Sequence, residues 1–463
     1  MLSALNSFGG RSQQPQCIYH EGQLGGGRLG DVELRDIRQL RRRSESGPQG
    51  PTWAAASSAE LSAAAAEHDV HLLPSEAEDR PAIVLFTSGT TSVPKGVNLG
   101  LRSLLFQGFA KTRPPTNYSS STDLLLSIPL CHIGGISSLL GVALARGTIT
   151  LPPPPPCRMT LPEILHGNPR MVNSLVVVPA LLSHFSGALT FPRVKLLLVG
   201  GSALSRREIL RCRELFPNAS IVQTYACTEA GSSITFRRIL RERDAQVQSG
   251  NAEGAGFRLG TPIGATWSQH VEVKILDDFG VEVPHFTVGV IATRGPHVMS
   301  GYTSQAANES AFRSSGFFMT NDLGYFNPEK NEFYFCGRST DTIRSGGETV
   351  LAKEVEDLIL ENFAQVKECA AFPLPDRTYG EIVCVALVLS SDLGIHRKED
   401  AHPNSFAERF LDTIKASWQK YGIAGYKKPK KVFVLPSLPR NSNGKVVKAS
   451  LTSQFGKNLM AKL

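Results

Sequence analysis

The stretch TSGTTSVPKG, residues 87–96, is the strongest indication of the fold of this chain. It is a polar, glycine-containing segment that follows directly on an apolar run. Ile83 to Phe86 has the apolar, β-branched character of a buried strand. Small hydroxyl residues and glycines let backbone N–H groups close around phosphate oxygens, and a lysine adds positive charge. A phosphate-binding loop is therefore predicted, formed by Thr87, Ser88, Gly89, Thr90, Thr91 and Lys95.

Two alternatives to this loop are weaker. A polar surface turn would not need hydroxyl residues on both sides of Gly89 followed by Pro-Lys-Gly. A Walker-type P-loop would end in Gly-Lys-Ser or Gly-Lys-Thr, and no such ending is present.

Further apolar runs follow the loop and predict buried strands at 124–128, 175–178, 195–199, 220–224, 271–275 and 289–293. Helix-like stretches such as Ser205 to Leu215 lie between several of them, which favours a layered α/β architecture. After Gly337 the pattern changes: helices at 351–363 and 405–421 alternate with strands at 366–372, 382–389 and 431–435. A small α+β domain of ordinary size is expected there.

Composition narrows the class of protein. The 463 residues carry a net charge of +8, with 41% hydrophobic and 19% charged residues, which is typical of a globular enzyme. Basic residues are not interleaved with aromatics, so no nucleic acid is expected; phosphate-rich small ligands, or no charged partner at all, remain open. No apolar run is long enough for a membrane span. The eight cysteines lack a C-x-x-C pair, which argues against a zinc site or disulfide framework.

Other short motifs carry chemistry that fits a nucleotide. Tyr225 offers a flat ring for a purine, Glu229 offers the hard oxygen that Mg²⁺ prefers, and Asp322 can accept two hydrogen bonds from ribose. Together with the phosphate loop, these segments resemble the adenylate-forming superfamily of acyl-CoA synthetases, luciferases and peptide-synthetase adenylation domains. The matching segments are 87–96, 200–202, 225–229, 320–324, 337–343, 345–348 and 439–445.

The resemblance implies a role for each matching residue. Tyr225 would stack on adenine, Thr228 would meet the phosphates, and Glu229 would hold Mg²⁺. The remaining roles are a pocket wall at Gly200 and Gly201, a ribose grip at Asp322, a nucleotide contact at Arg338, a hinge at Thr340, a pantetheine tunnel at Gly346 and Gly347, and the adenylation lysine at Lys445. ATP, Mg²⁺ and coenzyme A are the implied cofactor and co-substrates, and a homo-oligomer stays open.

The resemblance also implies the domain organisation. Residues 1–80 are expected to be divergent and loosely ordered, 81–337 to form a large domain of layered α/β sheets, 338–340 the hinge, and 341–463 a small mobile α+β lid. The large domain is shortened at its N-terminus relative to the superfamily. Ser92, Ala226 and Asn321 depart from the usual motifs. A truncated, non-catalytic nucleotide-binding protein is therefore a second hypothesis.

Three segments, 131–138, 229–236 and 294–299, are similar to those of plant-type o-succinylbenzoate–CoA ligases. That resemblance implies 2-succinylbenzoate as the acid, in phylloquinone or menaquinone biosynthesis, with His132, Ser232 and Ser233 contacting it. Another aromatic or medium-chain acid is the alternative substrate. The final residues Ala461-Lys462-Leu463 resemble the S-K-L peroxisomal signal, so a peroxisomal location is expected, with plastid or cytoplasm as alternatives.

Overall fold

The computed structural model describes residues 81–87, 94–152, 160–167, 172–182, 184–185, 189–202, 204, 206–239, 260–390, 403–420, 423–440 and 446–460. Residues 1–80 lie outside this set. Ser88, Gly89, Thr90, Thr91, Lys445 and the final tripeptide are outside it as well.

The first half of the described chain alternates strands with helices. In chain order its elements are β1 (Pro81–Thr87), β2 (Lys95–Gly100), α1 (Leu101–Thr112), β3 (Asp123–Leu125), α2 (Ile133–Leu144), β4 (Thr148–Thr150), α3 (Leu161–Gly167), β5 (Ser174–Val177), α4 (Pro179–Leu182), β6 (Leu196–Val199), α5 (Arg206–Leu215), β7 (Ser220–Cys227) and β8 (Ser232–Ile239).

The second half is richer in strands. Its elements are β9 (Thr261–Thr266), β10 (Glu272–Leu276), β11 (Gly289–Arg294), β12 (Gly301–Tyr302), α6 (Gln305–Ala311), β13 (Phe318–Asn327), β14 (Glu332–Arg338), β15 (Thr342–Ser345), β16 (Glu348–Leu351), α7 (Ala352–Asn362), β17 (Val366–Asp376), β18 (Gly380–Leu389), α8 (Pro403–Lys420), β19 (Lys431–Val434) and α9 (Lys448–Met460).

An 11-stranded sheet forms the largest layer, in the order β10-β11-β13-β14-β9-β8-β7-β6-β5-β3-β4. The pairs from β4 through β7 are parallel, whereas β7 pairs with β8 antiparallel. β5 and β6 are buried along their whole length, as expected for parallel strands covered on both faces. The predicted layered α/β fold is therefore confirmed.

Alternation along β6 builds two cores. Leu197 and Val199 pack on one face of the sheet with α3 and α5, whereas Leu196 and Leu198 pack on the other face with Ala110 of α1 and Val142 of α2. Side chains of successive strand residues point to opposite faces, so a continuous apolar run serves both layers. The helices α1 and α2 thus lie together on the face that carries the polar groups described below.

Two smaller sheets complete the structure. β1, β2 and β12 form a three-stranded antiparallel sheet, while β16-β15-β18-β17 form a second sheet that β19 joins by a parallel pair with β18. In the latter, Val383, Val385 and Leu387 pack against α7 and α8, and Cys384 and Ala386 pack towards α9. The predicted alternation of strands and helices after Gly337 agrees with these elements. None of the described helices is both long and apolar enough to cross a bilayer.

Candidate functional site

Several of the predicted residues lie where the parallel strands end. Gly200 follows β6 directly, and Tyr225 lies near the end of β7, which is the neighbouring strand. A Cβ atom on Gly200 would come within 3.1 Å of the Thr224 methyl group, and one on Gly201 within 3.1 Å of Val178. Gly201 also has a φ of +85°, which glycine adopts without strain. Ligands of open α/β sheets bind in the crevice outside these carboxyl ends.

Tyr225 and Asp322 are held together across the large sheet. The Tyr225 hydroxyl donates to an Asp322 carboxylate oxygen at 2.8 Å and to the Thr320 hydroxyl at 3.3 Å. Asp322 also lies 3.5 Å from the Arg338 guanidinium, its partner across the β13–β14 pair. Burial, and then the Asp322 charge, raise the pKa of Tyr225 well above its usual value, so the phenol stays protonated and can donate. Three sequence-predicted nucleotide residues, Tyr225, Asp322 and Arg338, are therefore linked by one hydrogen bond and one ion pair.

Glu229 belongs to a second group that sequence reasoning did not complete. It lies in a 3-10 turn, Thr228–Ala230, which Gly231 ends with a φ of 62°. Its carboxylate accepts a hydrogen bond of 3.0 Å from the Tyr302 hydroxyl, and Lys95 lies 5.3 Å from the centre of the Tyr302 ring. Burial and the nearby Glu229 raise the pKa of Tyr302. Tyr302 was missed because it is 73 positions from Glu229.

The predicted phosphate loop meets this second group through its ends. Thr87 and Lys95 are partners across the β1–β2 pair, and Tyr302 pairs with Val97 on the other side of β2. The ends of the predicted loop therefore lie beside the strand that carries Tyr302, the hydrogen-bond donor to Glu229. Ser88, Gly89, Thr90 and Thr91 lie outside the described residues.

The predicted acid-binding residues differ in exposure. His132 is exposed at the N-cap of α2, whereas Ser232 and Ser233 are buried on β8. The Ser137 hydroxyl donates to the Ser232 hydroxyl at 3.0 Å, and the Lys111 ammonium donates to the Ser233 hydroxyl at 2.5 Å. The two serines therefore tie β8 to α2 and α1. Sequence reasoning did not identify Lys111, because nothing in its local sequence indicates burial.

The buried side chain of His297 predicts that the free energy of unfolding depends on pH. It is fully buried, its Nε2 lies 2.8 Å from the Thr293 hydroxyl, and its Nδ1 has no hydrogen-bond partner among the described residues. Burial lowers the pKa of His297 from 6.5 to about 4. The unfolded chain therefore binds a proton between these values when the folded chain does not, and the free energy of unfolding falls as the pH drops through this window.

When the pH is lowered from 7 to 4, we expect the free energy of unfolding of the wild type to fall by on the order of 3 kcal/mol more than that of His297→Gln. Urea titrations of both proteins at several pH values measure this difference. Parallel pH curves for the two proteins would contradict it.

The segment around the predicted hinge is anchored by charges. Thr340 lies in a 3-10 turn, Ser339–Asp341, between β14 and β15. The Lys448 ammonium at the start of α9 lies 2.7 Å from Glu356 and 3.6 Å from Asp341. Asp341 is the residue that directly follows Thr340 in the chain. Arg440 and Val446 pair as a β-bridge, so the chain on both sides of residues 441–445 is brought together near this point. Lys445 itself lies outside the described residues.

The predicted pantetheine glycines form a turn at the surface. Gly346 and Gly347 connect β15 to β16 with φ angles of 62° and 84°, and a Cβ on Gly347 would meet no atom of the described residues within 4 Å. Two positive φ angles are typical of tight hairpin turns and require glycine-like residues. Lys430 lies 5.3 Å from the ring of Tyr379, whose carbonyl accepts a hydrogen bond from the Gly346 amide.

The Glu229 group is suited to Mg²⁺ bound together with phosphates. In the described parts of the chain, no group of three or more His, Cys, Asp and Glu side chains is placed to hold a metal ion. Mg²⁺ at nucleotide sites uses one or two carboxylates, and phosphates and water complete its shell. The half-buried Glu229 carboxylate, which accepts a hydrogen bond from Tyr302, meets this requirement.

Comparisons with known proteins agree with this geometry. A family model described as "AMP-binding enzyme" matches residues 32–303, and one described as "AMP-binding enzyme C-terminal domain" matches residues 354–445. A 2-succinylbenzoate–CoA ligase of Enterococcus faecalis is 26% identical over 382 residues, covering 82% of this chain and 71% of its own length.

Two further curated relatives name different acids. The chloroplastic/peroxisomal 2-succinylbenzoate–CoA ligase of Arabidopsis thaliana is 29% identical, covering 82% of this chain and 68% of its own length. An oxalate–CoA ligase of Saccharomyces cerevisiae is 27% identical, covering 81% and 64% respectively. The chain thus spans about two thirds of the length of these relatives.

A solved structure shares the fold. The o-succinylbenzoate coenzyme A synthetase of Bacillus subtilis, in complex with ATP and magnesium ion, superposes with a TM-score of 0.64 at 27% identity. The match covers 81% of this chain and 70% of that chain.

Proposed function

The chain belongs to the AMP-binding enzyme family, and from this premise we propose that it is an AMP-forming acid–thiol ligase. It joins a carboxylic acid to AMP from ATP and then transfers the acyl group to coenzyme A. The observation that carries the proposal is the hydrogen bond between Tyr225 and Asp322, because it sets an aromatic face beside a carboxylate that can accept ribose hydroxyls.

Adenylation needs positioning more than covalent chemistry from the protein. A carboxylate oxygen of the acid attacks the α-phosphorus of ATP, and the bond to the β-phosphate breaks to release pyrophosphate. Negative charge grows on phosphate oxygens, and positive groups held in place stabilise it. Mg²⁺, when bound, would neutralise part of this charge. Lys95 and Lys445 supply fixed positive charge, and Glu229 would hold the metal.

Thioester formation completes the reaction. The sulfur of coenzyme A attacks the acyl carbonyl, the thiol proton passes to solvent, and AMP leaves with the electrons of the acyl–phosphate bond. The small domain turns about Thr340 between the two steps, withdraws Lys445 and presents Gly346 and Gly347. The surface position of the glycine turn supports this assignment, because pantetheine can approach a backbone that lacks side chains.

The proposed acid is 2-succinylbenzoate. Ligases for this acid from a bacterium and a plant are among the relatives, and His132 is the N-cap of α2, the helix whose Ser137 hydroxyl donates to Ser232. The oxalate–CoA ligase relative keeps a different acid open, and the departures at Ser92, Ala226 and Asn321 keep a non-catalytic nucleotide-binding protein open. The peroxisomal location expected from residues 461–463 stays part of the proposal, consistent with the name of the Arabidopsis relative.

A panel of acids tests the proposal. The purified chain is incubated with ATP, Mg²⁺ and labelled pyrophosphate together with 2-succinylbenzoate, oxalate, 4-coumarate or octanoate, and label entering ATP is measured. Coenzyme A is then added and the thioester is identified by mass. Exchange with 2-succinylbenzoate above all other acids is expected. Exchange with another acid alone would reject the substrate, and ATP binding without exchange for any acid would reject the ligase.

A further inference from the structure

A lysine is buried where α1, α2 and β8 meet. Lys111 is 1% exposed, and the structure records one hydrogen bond for its ammonium among the described residues, to the Ser233 hydroxyl. The ring of Phe236 lies 5.1 Å from the ammonium and provides a neutral partner. Burial lowers the pKa of Lys111 from 10.5 to about 7, and the described residues contribute no charge that opposes this. An ammonium has three donors, so two remain for other partners.

The packing around Lys111 makes room for its side chain. A Cβ atom on Gly141 would lie 2.6 Å from the Lys111 Cβ, so only glycine at this position of α2 lets the lysine stem pass. Ser138 and Gly134 follow Gly141 along the same face of α2 at helical spacing. Among the described residues, a Cβ on Gly134 would meet a single atom within 4 Å, on Ile128 at 3.8 Å, so the described part of the chain leaves the N-terminal end of this face open.

A second buried polar group lies on this face. The Tyr118 hydroxyl is buried within hydrogen-bonding reach of Ser138. Its backbone amide donates to the Lys111 carbonyl at 2.9 Å, so Tyr118 and Lys111 are direct neighbours. Polar groups therefore surround the face of α2 from Gly134 to Gly141, and the Lys111 ammonium is the group that has donors left for an anion.

The position of this face of α2 relative to the predicted nucleotide residues Tyr225 and Glu229 indicates which anion would bind there. Ser233 pairs with Ala226 across β7–β8, next to Tyr225, and Ser232 pairs with Cys227. Glu229 lies in the turn that joins these two strands. The ammonium thus binds directly to Ser233, one of the residues predicted to contact the acid. An anionic group at the far end of the acid would lie nearest to it.

We propose that the Lys111 ammonium binds the second carboxylate of a dicarboxylic acid substrate, the carboxylate that is not joined to AMP. This assignment rests on the proposed function and deepens it, because it identifies the residue that selects diacids. A buried positive charge without an anionic partner is unfavourable, and a substrate carboxylate supplies that partner. 2-Succinylbenzoate and oxalate are both dicarboxylic acids.

The test compares acids that differ in one carboxylate. Pyrophosphate exchange is measured for 2-succinylbenzoate and for two monoacid analogues, 4-oxo-4-phenylbutanoate and 2-butanoylbenzoate, each of which lacks one carboxylate. We expect the wild type to prefer the diacid roughly 50-fold in kcat/KM over the monoacid that keeps the adenylated carboxylate, as for loss of one charge-assisted hydrogen bond, whereas the other monoacid should not be adenylated at all. Lys111→Met is expected to abolish this preference. Lys415→Met, an exposed lysine on α8, removes the same charge and should leave the preference intact.

Lys111→Gln and a thermal shift assay keep the inference falsifiable. The glutamine variant retains a hydrogen-bonding side chain but no charge, and we expect it to lose the diacid preference as the methionine variant does. The diacid should raise the melting temperature of the wild type more than either monoacid does, and this difference should vanish in both variants.

The outcomes separate the two proposals. If exchange occurs but Lys111→Met and Lys111→Gln lower it equally for diacid and monoacids, Lys111 has a structural role and the inference is overturned. If no acid supports exchange, the ligase proposal fails, and the thermal shift still decides whether Lys111 binds a diacid. Equal shifts for all three acids, or none, would overturn the inference.

Discussion

Replacing Lys445 with alanine is expected to lower pyrophosphate exchange about 1000-fold, the loss typical when one fixed group that stabilises transition-state charge is removed. The chain on either side of residues 441–445 is firmly placed. Arg440 pairs with Val446, and the Val447 amide donates to the Pro439 carbonyl at 2.8 Å. Lys448 then ties the start of α9 to Asp341 beside the hinge. Rotation at the proposed hinge would therefore carry the residues that flank 441–445 together towards or away from the nucleotide.

The two half-reactions provide the control for this prediction. Lys445→Ala should still form the coenzyme A thioester from a supplied acyl-adenylate, because the lysine is withdrawn in the second step. Lys415→Ala on the exposed face of α8 should exchange pyrophosphate like the wild type. Exchange that survives in Lys445→Ala would mean that another cation supports adenylation. Loss of both half-reactions would indicate a folding defect instead.

Asp322→Asn is expected to lower kcat/KM for ATP about 300-fold, because two charge-assisted hydrogen bonds to ribose become at most one neutral bond. The Asp322 carboxylate is 13% exposed, and it already orders the Tyr225 hydroxyl and faces Arg338. Asparagine has nearly the same shape, so the sheet should fold unchanged. Steady-state kinetics with ATP as the varied substrate measure the effect.

A second variant and an ATP analogue test whether the Asp322 carboxylate contacts the ribose. Tyr225→Phe removes only the tyrosine hydroxyl from the carboxylate and should cost about 10-fold, the value of a single hydrogen bond to a charged group. 2′-Deoxy-ATP should be a poor substrate for the wild type but should be used by Asp322→Asn almost as well as ATP. A full wild-type preference for ATP over 2′-deoxy-ATP in Asp322→Asn would show that the carboxylate does not contact the ribose.

Sequence reasoning succeeded for elements whose burial is visible in one dimension. The runs at Leu175–Val178 and Leu196–Val199 are apolar without interruption, because strands covered on both faces by helices need no polar side. The C-terminal helix at Leu351–Phe363 shows the spacing of an amphipathic helix, with Val355, Leu358 and Ile359 buried. These patterns are local, so their boundaries agree with the structure to within a few residues.

Sequence reasoning failed for segments in which tertiary contacts override local propensity. The segment 133–144 holds three glycines and two serines, which are poor helix formers, yet it forms α2 because its small residues let α1 pack closely against it. The segment 232–239 was interpreted only as substrate contacts, but it is a buried strand held by Gln107 and Lys111 of α1. Contacts over more than a hundred positions leave no periodic signal.

The sequence by itself determined the family, the parallel part of the large sheet and most of the residues that point to a nucleotide, because local motifs and apolar runs carry that information. Only the tertiary structure decided the partners of those residues: Tyr302 for Glu229, Tyr225 for Asp322, and Ser233 for a buried lysine. The physical reason is that a hydrogen bond depends on distance in space, whereas a motif records only distance along the chain. A lysine in a helix looks the same in the sequence whether it is solvated or buried, and only packing distinguishes the two.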